Sequence, residues 1–339
     1  APGVAPAITG VGMTPATTQL GTSFTPAGPH GVGATASAAV SRPSGGRIVA
    51  LGALCLVALG ALGTGGYLAY RKWKGPTVAP KEDEISYCAD TIDRNWVSEC
   101  TVEVSPAAQK HRALSFKRTS KDGRVQMVER LNGHGRLVED DAGVASWEYK
   151  YEKKGKLPRE IVSKNRVGTI VFRTLLNDDG THADFVDAWG EPRAQKDTKI
   201  TATNFVIDDK GFVTESHVLN ALGKPTFTSE HVRGYRYKHD DKGLLAGVTG
   251  LDTKGTAMRT DQWMAAVTRT YDKKGFELGG QFVDDAGVPV LNRSGVSGFD
   301  SELDDYGNVV VHRNLSADGR PVPTTDGYAS FKAELDDYG

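Results

Sequence analysis

In FDSELD, residues 299–304, Phe299, Ser301 and Leu303 fall on one side of an extended chain and Asp300, Glu302 and Asp304 on the other. FKAELD at 331–336 repeats the pattern, and a period of two predicts half-buried β-strands. Each such run leads into a four-residue turn: SKDG, EKKG, NDDG, DDKG, DDKG, DKKG, DDYG and DDYG, ending at Gly123, Gly155, Gly180, Gly211, Gly243, Gly275, Gly307 and Gly339. Five of the seven spacings are 32, one is 31 and one is 25, so 156–180 is a degenerate unit. A second turn follows about 12 residues later, at Gly135, Gly190, Gly223, Gly255, Gly287 and Gly319, and in four of these the next residue but one is proline (Pro192, Pro225, Pro289, Pro321). Asp or Asn opening such a turn bonds the backbone two residues on, and the closing glycine takes the positive φ.

The predicted fold class is therefore all-β: an elongated, open array of about seven 32-residue β-hairpin repeats over 116–339, cut inside a repeat at its C-terminus. Tyr235, Val267, Phe299 and Phe331 stand 32 residues apart and are expected to form a core seam, with Phe331 the least supported because it lies beside the end.

The pattern changes before the array. Residues 1–46 are rich in Ala, Gly, Pro, Thr and Ser, with single hydrophobes at no strand or helix period, and read as a disordered linker. Residues 48–70 carry no charge in 23 positions; as a helix they would span roughly 35 Å, enough for a hydrocarbon core. Basic flanks bound this stretch, and Tyr67, Tyr70 and Trp73 stand where interfacial aromatics belong. The expected organisation is a linker (1–46), a transmembrane helix with its basic flank (47–74), a membrane-proximal segment (75–115) and the array (116–339).

Residues 1–74 hold five basic and no acidic side chains, so 75–339 carries 36 basic against 42 acidic groups. That balance argues against a nucleic-acid partner, which needs a clustered basic face. Cys88 and Cys100 are the only cysteines after the apolar stretch. They are either two buried thiols or a disulfide, and a disulfide requires an oxidising compartment. Two basic residues precede the apolar stretch and four follow it, which by charge alone would keep the array in the cytoplasm. The expectation adopted is the disulfide, with the array outside.

YDKKGFE at 271–277, VDDAGVP at 283–289 and LDDYGN at 303–308 resemble the phrases of bacterial WG-type and YD-type hairpin repeats, over roughly 116–339. The layout of linker, membrane helix and repeats is similar to the C-terminal part of receptor-type bacterial serine/threonine kinases. The resemblance implies a single-pass inner-membrane protein whose extracytoplasmic repeats sense or bind a protein or cell-wall ligand. A structural or adhesive envelope module is the alternative.

No enzyme is expected in this chain. HRNL at 312–315 resembles the kinase H-R-D-L loop, but Asn314 stands where the catalytic Asp is required. The eight histidines are scattered singly, so none has an evident orienting partner. No cofactor is implied. Calcium is considered because DDKG and DDYG are oxygen-rich, but neither an EF-hand nor a glycine-rich β-roll spacing is present, and turn formation already accounts for the aspartates.

Overall fold

The computed structural model describes residues 83–195, 198–260, 264–325 and 327–339. A first hairpin, β1 (Glu84–Arg94) and β2 (Val97–Val104), is followed by one helical turn, α1 (Pro106–Gln109), and then by strands alone. These are β3 (Ser115–Lys121), β4 (Arg124–Leu131), β5 (Ser146–Tyr151), β6 (Pro158–Lys164), β7 (Ile170–Leu176), β8 (His182–Val186), β9 (Ala202–Ile207) and β10 (Val213–Leu219). The series ends with β11 (Gly234–His239), β12 (Leu245–Leu251), β13 (Ala266–Tyr271), β14 (Glu277–Val283), β15 (Gly298–Leu303), β16 (Val309–Leu315) and β17 (Ser330–Lys332). From β3 onward each strand pairs antiparallel with the next, while β1 pairs with both β2 and β3. All 17 strands belong to one sheet.

The glycine-ended turns predicted from sequence join β3–β4, β5–β6, β7–β8, β9–β10, β11–β12, β13–β14 and β15–β16, so the described residues hold seven repeat hairpins. The second of the DDxG turns, at 240–243, shows how one is built. Asp240 Oδ1 accepts from Lys242 N and Leu244 N at 2.9 and 2.8 Å, and Gly243 sits at φ 86°. The register slips by one residue between Lys238 and His239, which makes this a three-residue loop closed by a glycine bulge. The 25-residue spacing also has a local cause. Between β6 and β7 the chain reverses through one tight turn, Asn165–Gly168, whereas β10 and β11 are separated by the long excursion 220–233.

That excursion contains two turns. The second glycine turn ends in an isolated bridge from the preceding strand to the G-x-P position, as in Leu219↔Pro225, Val283↔Pro289 and Leu315↔Pro321. A third turn then returns the chain to the sheet, at Asp140–Gly143, Gln195–Thr198, Thr228–His231, Asn292–Gly295 and Thr324–Gly327.

The fold-class expectation is corrected in two respects. The all-β array stands, but the expected transmembrane span 48–70 lies outside the described residues, and among those described no helix is long and apolar enough to cross a membrane. The array is also not an open one that leads away from its start. Asn308 Nδ2 donates to the His111 carbonyl at 2.7 Å, Ala113 N donates to Asn308 Oδ1 at 3.0 Å, and Tyr338 stacks on His134 at 4.0 Å. The physical reason is a second layer of contacts that strand alternation does not reveal: the inner turns pack on one another and on β1–β2. Phe331 correspondingly has a neighbour in His312, at 5.3 Å, which also stacks on Phe299 at 5.6 Å. Tyr235 and Val267 are buried, whereas Phe299 and Phe331 are half-buried, so the seam thins along the chain.

Turn glycines divide by what lies above them. At Gly307 (φ 82°) a Cβ would collide with the Phe276 ring, while at Gly319 (φ 78°) it would meet open space. Both positions cost a side chain roughly 1–2 kcal/mol for the left-handed backbone. Gly307→Ala is therefore expected to lower unfolding stability by about 1–3 kcal/mol more than Gly319→Ala, because overpacking adds to strain. Denaturant midpoints of the two variants check this; equal losses would mean the turn stack bears no load.

Candidate functional site

Two regions carry features beyond the repeat itself: the inner turns around β1–β2, and the outer turns. At the inner end, over three successive units, the residue after a turn glycine packs on the next glycine along the array. Phe212 lies over Gly243, Leu244 over Gly275 and Phe276 over Gly307. The tip of β1–β2 joins the same stack. Asn95 N donates to the Gly211 carbonyl at 2.8 Å, and the Trp96 indole N–H donates to the Gly180 carbonyl at 2.8 Å. Asn95 and Trp96 both have positive φ, which lets a two-residue tip present both groups to the turns. The Trp96 ring meets Phe205 edge-on at 4.6 Å and belongs to a core that includes Phe116, Trp147, Tyr149, Ile161 and Phe185. Further along the hairpin, Arg94 lies over Phe212 at 4.5 Å and Val102 lies beside Gly275. Arg112, 6% exposed, ends the series by donating to the Tyr306 carbonyl and lying over Phe276 at 5.4 Å.

Cys88 and Cys100 form a disulfide across this hairpin, with Cα atoms 5.3 Å apart and Cys88 fully buried. Among the remaining sequence-derived positions, Gly243, Gly275 and Gly307 lie in the inner stack, whereas Pro289 and Pro321 lie at the outer bridges. Phe299 and Phe331 sit on either side of His312. The structure does not gather these residues into a single site. His312, singled out in HRNL, is a half-buried spacer between the two phenylalanine rings, and burial pushes its pKa down.

At the outer end, second turns hold apolar side chains in water. Trp189 is 86% exposed in the turn 187–190, and Leu222 is 79% exposed in the turn 220–223. Their backbones are fixed in the same way: Asp187 Oδ1 accepts from Trp189 N at 2.9 Å and Glu191 N at 3.0 Å, and Asn220 Oδ1 accepts from Leu222 N at 3.0 Å and Lys224 N at 3.1 Å. Val167, on the tight turn between β6 and β7, is 76% exposed. A shallow cleft beside Leu222 is lined by Ala194, Thr198, Lys199, Thr201 and Asn220. Sequence reasoning missed these residues. The signal was an apolar third residue inside a polar turn, DAWG and NALG, where no folding role needs one. No cluster of three or more His, Cys, Asp or Glu side chains suited to a metal ion occurs among the described residues.

Comparison with protein-family models and with curated proteins finds no match to the chain.

The disulfide closes a short loop, for which chain entropy gives roughly 3 kcal/mol. Cys88→Ser/Cys100→Ser is expected to lower the unfolding free energy by about 2–3 kcal/mol. Non-reducing peptide mapping of the native protein should recover one cross-linked Cys88/Cys100 fragment, and two alkylated thiols would refute the bond.

Proposed function

We propose that this chain is an extracytoplasmic binding module of a bacterial signalling receptor, with the array as a rigid scaffold and its outer turns as the recognition surface. The observation that carries the reading is the pair Trp189 and Leu222, held almost fully exposed on equivalent turns of consecutive units whose backbones are pinned by side-chain oxygens. Large apolar side chains presented this way cost solubility and contribute nothing to the core, while aromatic anchors on rigid supports are what interfaces use. The disulfide supports the compartment, since such bonds persist outside the reducing cytosol. The signalling part of the reading rests on the likeness in layout to receptor kinases, and the ligand class that fits it is an envelope protein or cell-wall polymer.

Purified bacterial cell walls and membrane-stripped envelope fractions, titrated against the protein, test this. Trp189→Ala with Leu222→Ser is expected to weaken binding at least tenfold, in line with the loss of about 1.4 kcal/mol or more at an anchor, while leaving the unfolding midpoint unchanged. Binding that survives both substitutions, or none by the wild type, would overturn the assignment of the outer turns.

A further inference from the structure

The hairpin that threads the inner turns is an unusual core element because it brings carboxylates with it. Asp90 and Asp93 are half-buried by accessible area, yet burial among protein atoms is the largest influence on both carboxyl groups. The groups facing Asp90 come from three other segments: Arg269 on β13, Glu277 on β14 and Arg112 after α1. Arg269 is committed to Glu277 at 2.6 Å, and Arg112 is committed to the carbonyls of Leu114, Tyr306 and Ala89. Neither cation makes a direct ion pair with Asp90, whose Oδ1 accepts only from the neighbouring Thr91 N at 2.8 Å.

Between Asp90 and Arg269 lies a cavity of about 20 Å³, lined also by Thr101, Tyr271 and Glu277. Arg269 Nε and Thr101 Oγ1 are buried without a protein partner, so the space has both the room and the polar atoms to hold one water. Asp93 has still less compensation. Ser98 Oγ lies 2.6 Å from its Oδ1 and 2.9 Å from the Tyr149 hydroxyl, giving a chain of neutral hydroxyls and no cation. The nearest charges on its own hairpin, Arg94 and Glu99, pair with each other at 3.4 Å.

We infer that β1–β2 is a proton-controlled bolt: it stays seated across the inner turns while Asp90 and Asp93 carry protons, and it loosens from the array when they ionise. The disulfide keeps its two strands together, so the hairpin moves as a unit rather than unzipping.

The direction follows from the buried carboxyls. An unfolded aspartate ionises near 3.8, whereas burial raises Asp90 to about 6 and Asp93 to about 7. Below 3.8 both folded and released states are protonated and the seated hairpin has its full stability. As pH rises from there through 6 to 7 the released state has already lost its protons, so each further step favours release. Tyr149, facing Asp93 from β5, is itself pushed up by burial and stays neutral throughout.

The test is hydrogen exchange on the full chain at pH 5 and pH 8, corrected for intrinsic rates, reading two protons that join hairpin to array: Asn95 N–H and the Trp96 indole N–H. The seated fraction is expected to fall so that both exchange roughly a thousandfold faster at pH 8, about tenfold from Asp90 and about a hundredfold from Asp93. In Asp90→Asn/Asp93→Asn, which holds the neutral shape at every pH, the difference should vanish and protection at pH 8 should be at least that of the wild type at pH 5. Equal protection of the wild type at both pH values overturns the inference. So does an unchanged pH dependence in the double variant, or a double variant that fails to fold at pH 8.

Discussion

The later half of the array depends on the contact between one unit's first residue after its turn and the bare α-carbon of the next unit's turn glycine, made at Gly243, Gly275 and Gly307. Phe212 on Gly243 and Phe276 on Gly307 leave no room for a methyl group, so the glycine serves both the left-handed turn and the stack. Strand pairing alone sets a repeat 4.7–4.9 Å wide per strand but says nothing about which end of each hairpin gathers inward. The ring-on-glycine contacts decide that, and they make the inner turns, rather than the strand faces, the place where the array meets its own beginning.

Once the inner ends are drawn together, something must occupy the space they enclose, and the chain uses its first hairpin. The fit is apolar at the tip, where Trp96 joins the main core, and polar along the shaft, where Asp90 lies near Arg112 and Arg269 and Asp93 meets Ser98. A purely apolar hairpin would hold more tightly, since burying charge is costly unless it is paired. The polar shaft therefore marks a part of the core whose stability responds to solution conditions, while the outer turns keep their geometry through hydrogen bonds accepted by Asp187, Asn220 and their equivalents.

The array was legible in the sequence because its rules are local. Turn glycines, their aspartates and the alternation in FDSELD each act within a few residues, and every inner turn falls where the spacing places it. The third turns were not legible where they lack the signal: Thr228–His231 closes on a histidine at φ 61°, and Gln195–Thr198 has no glycine at all. The insertion of β1–β2 could not be read, because Trp96 meets Gly180 across 84 residues and no periodicity carries such a contact. The cysteine pair was legible as proximity, whereas its role as a staple of the inserted hairpin needed the fold. The outer-turn apolar residues stood in view in DAWG and NALG, hidden only because the turn chemistry around them was sufficient explanation for the phrase.

Return contacts change how stability should be distributed. In a one-dimensional array each unit is held only by its neighbours, and a terminal unit is the weakest. Here Asn308 accepts from Ala113 and donates to His111, and Tyr338 lies against His134, so late units are held by the segment that precedes the first repeat and by the first repeat itself. Arg112 links both systems, since it reaches Tyr306 in the array and Ala89 in β1. Loosening β1–β2 therefore weakens late units that make no strand pairing with it, and the proton state of two aspartates is felt at the far end of the repeat series.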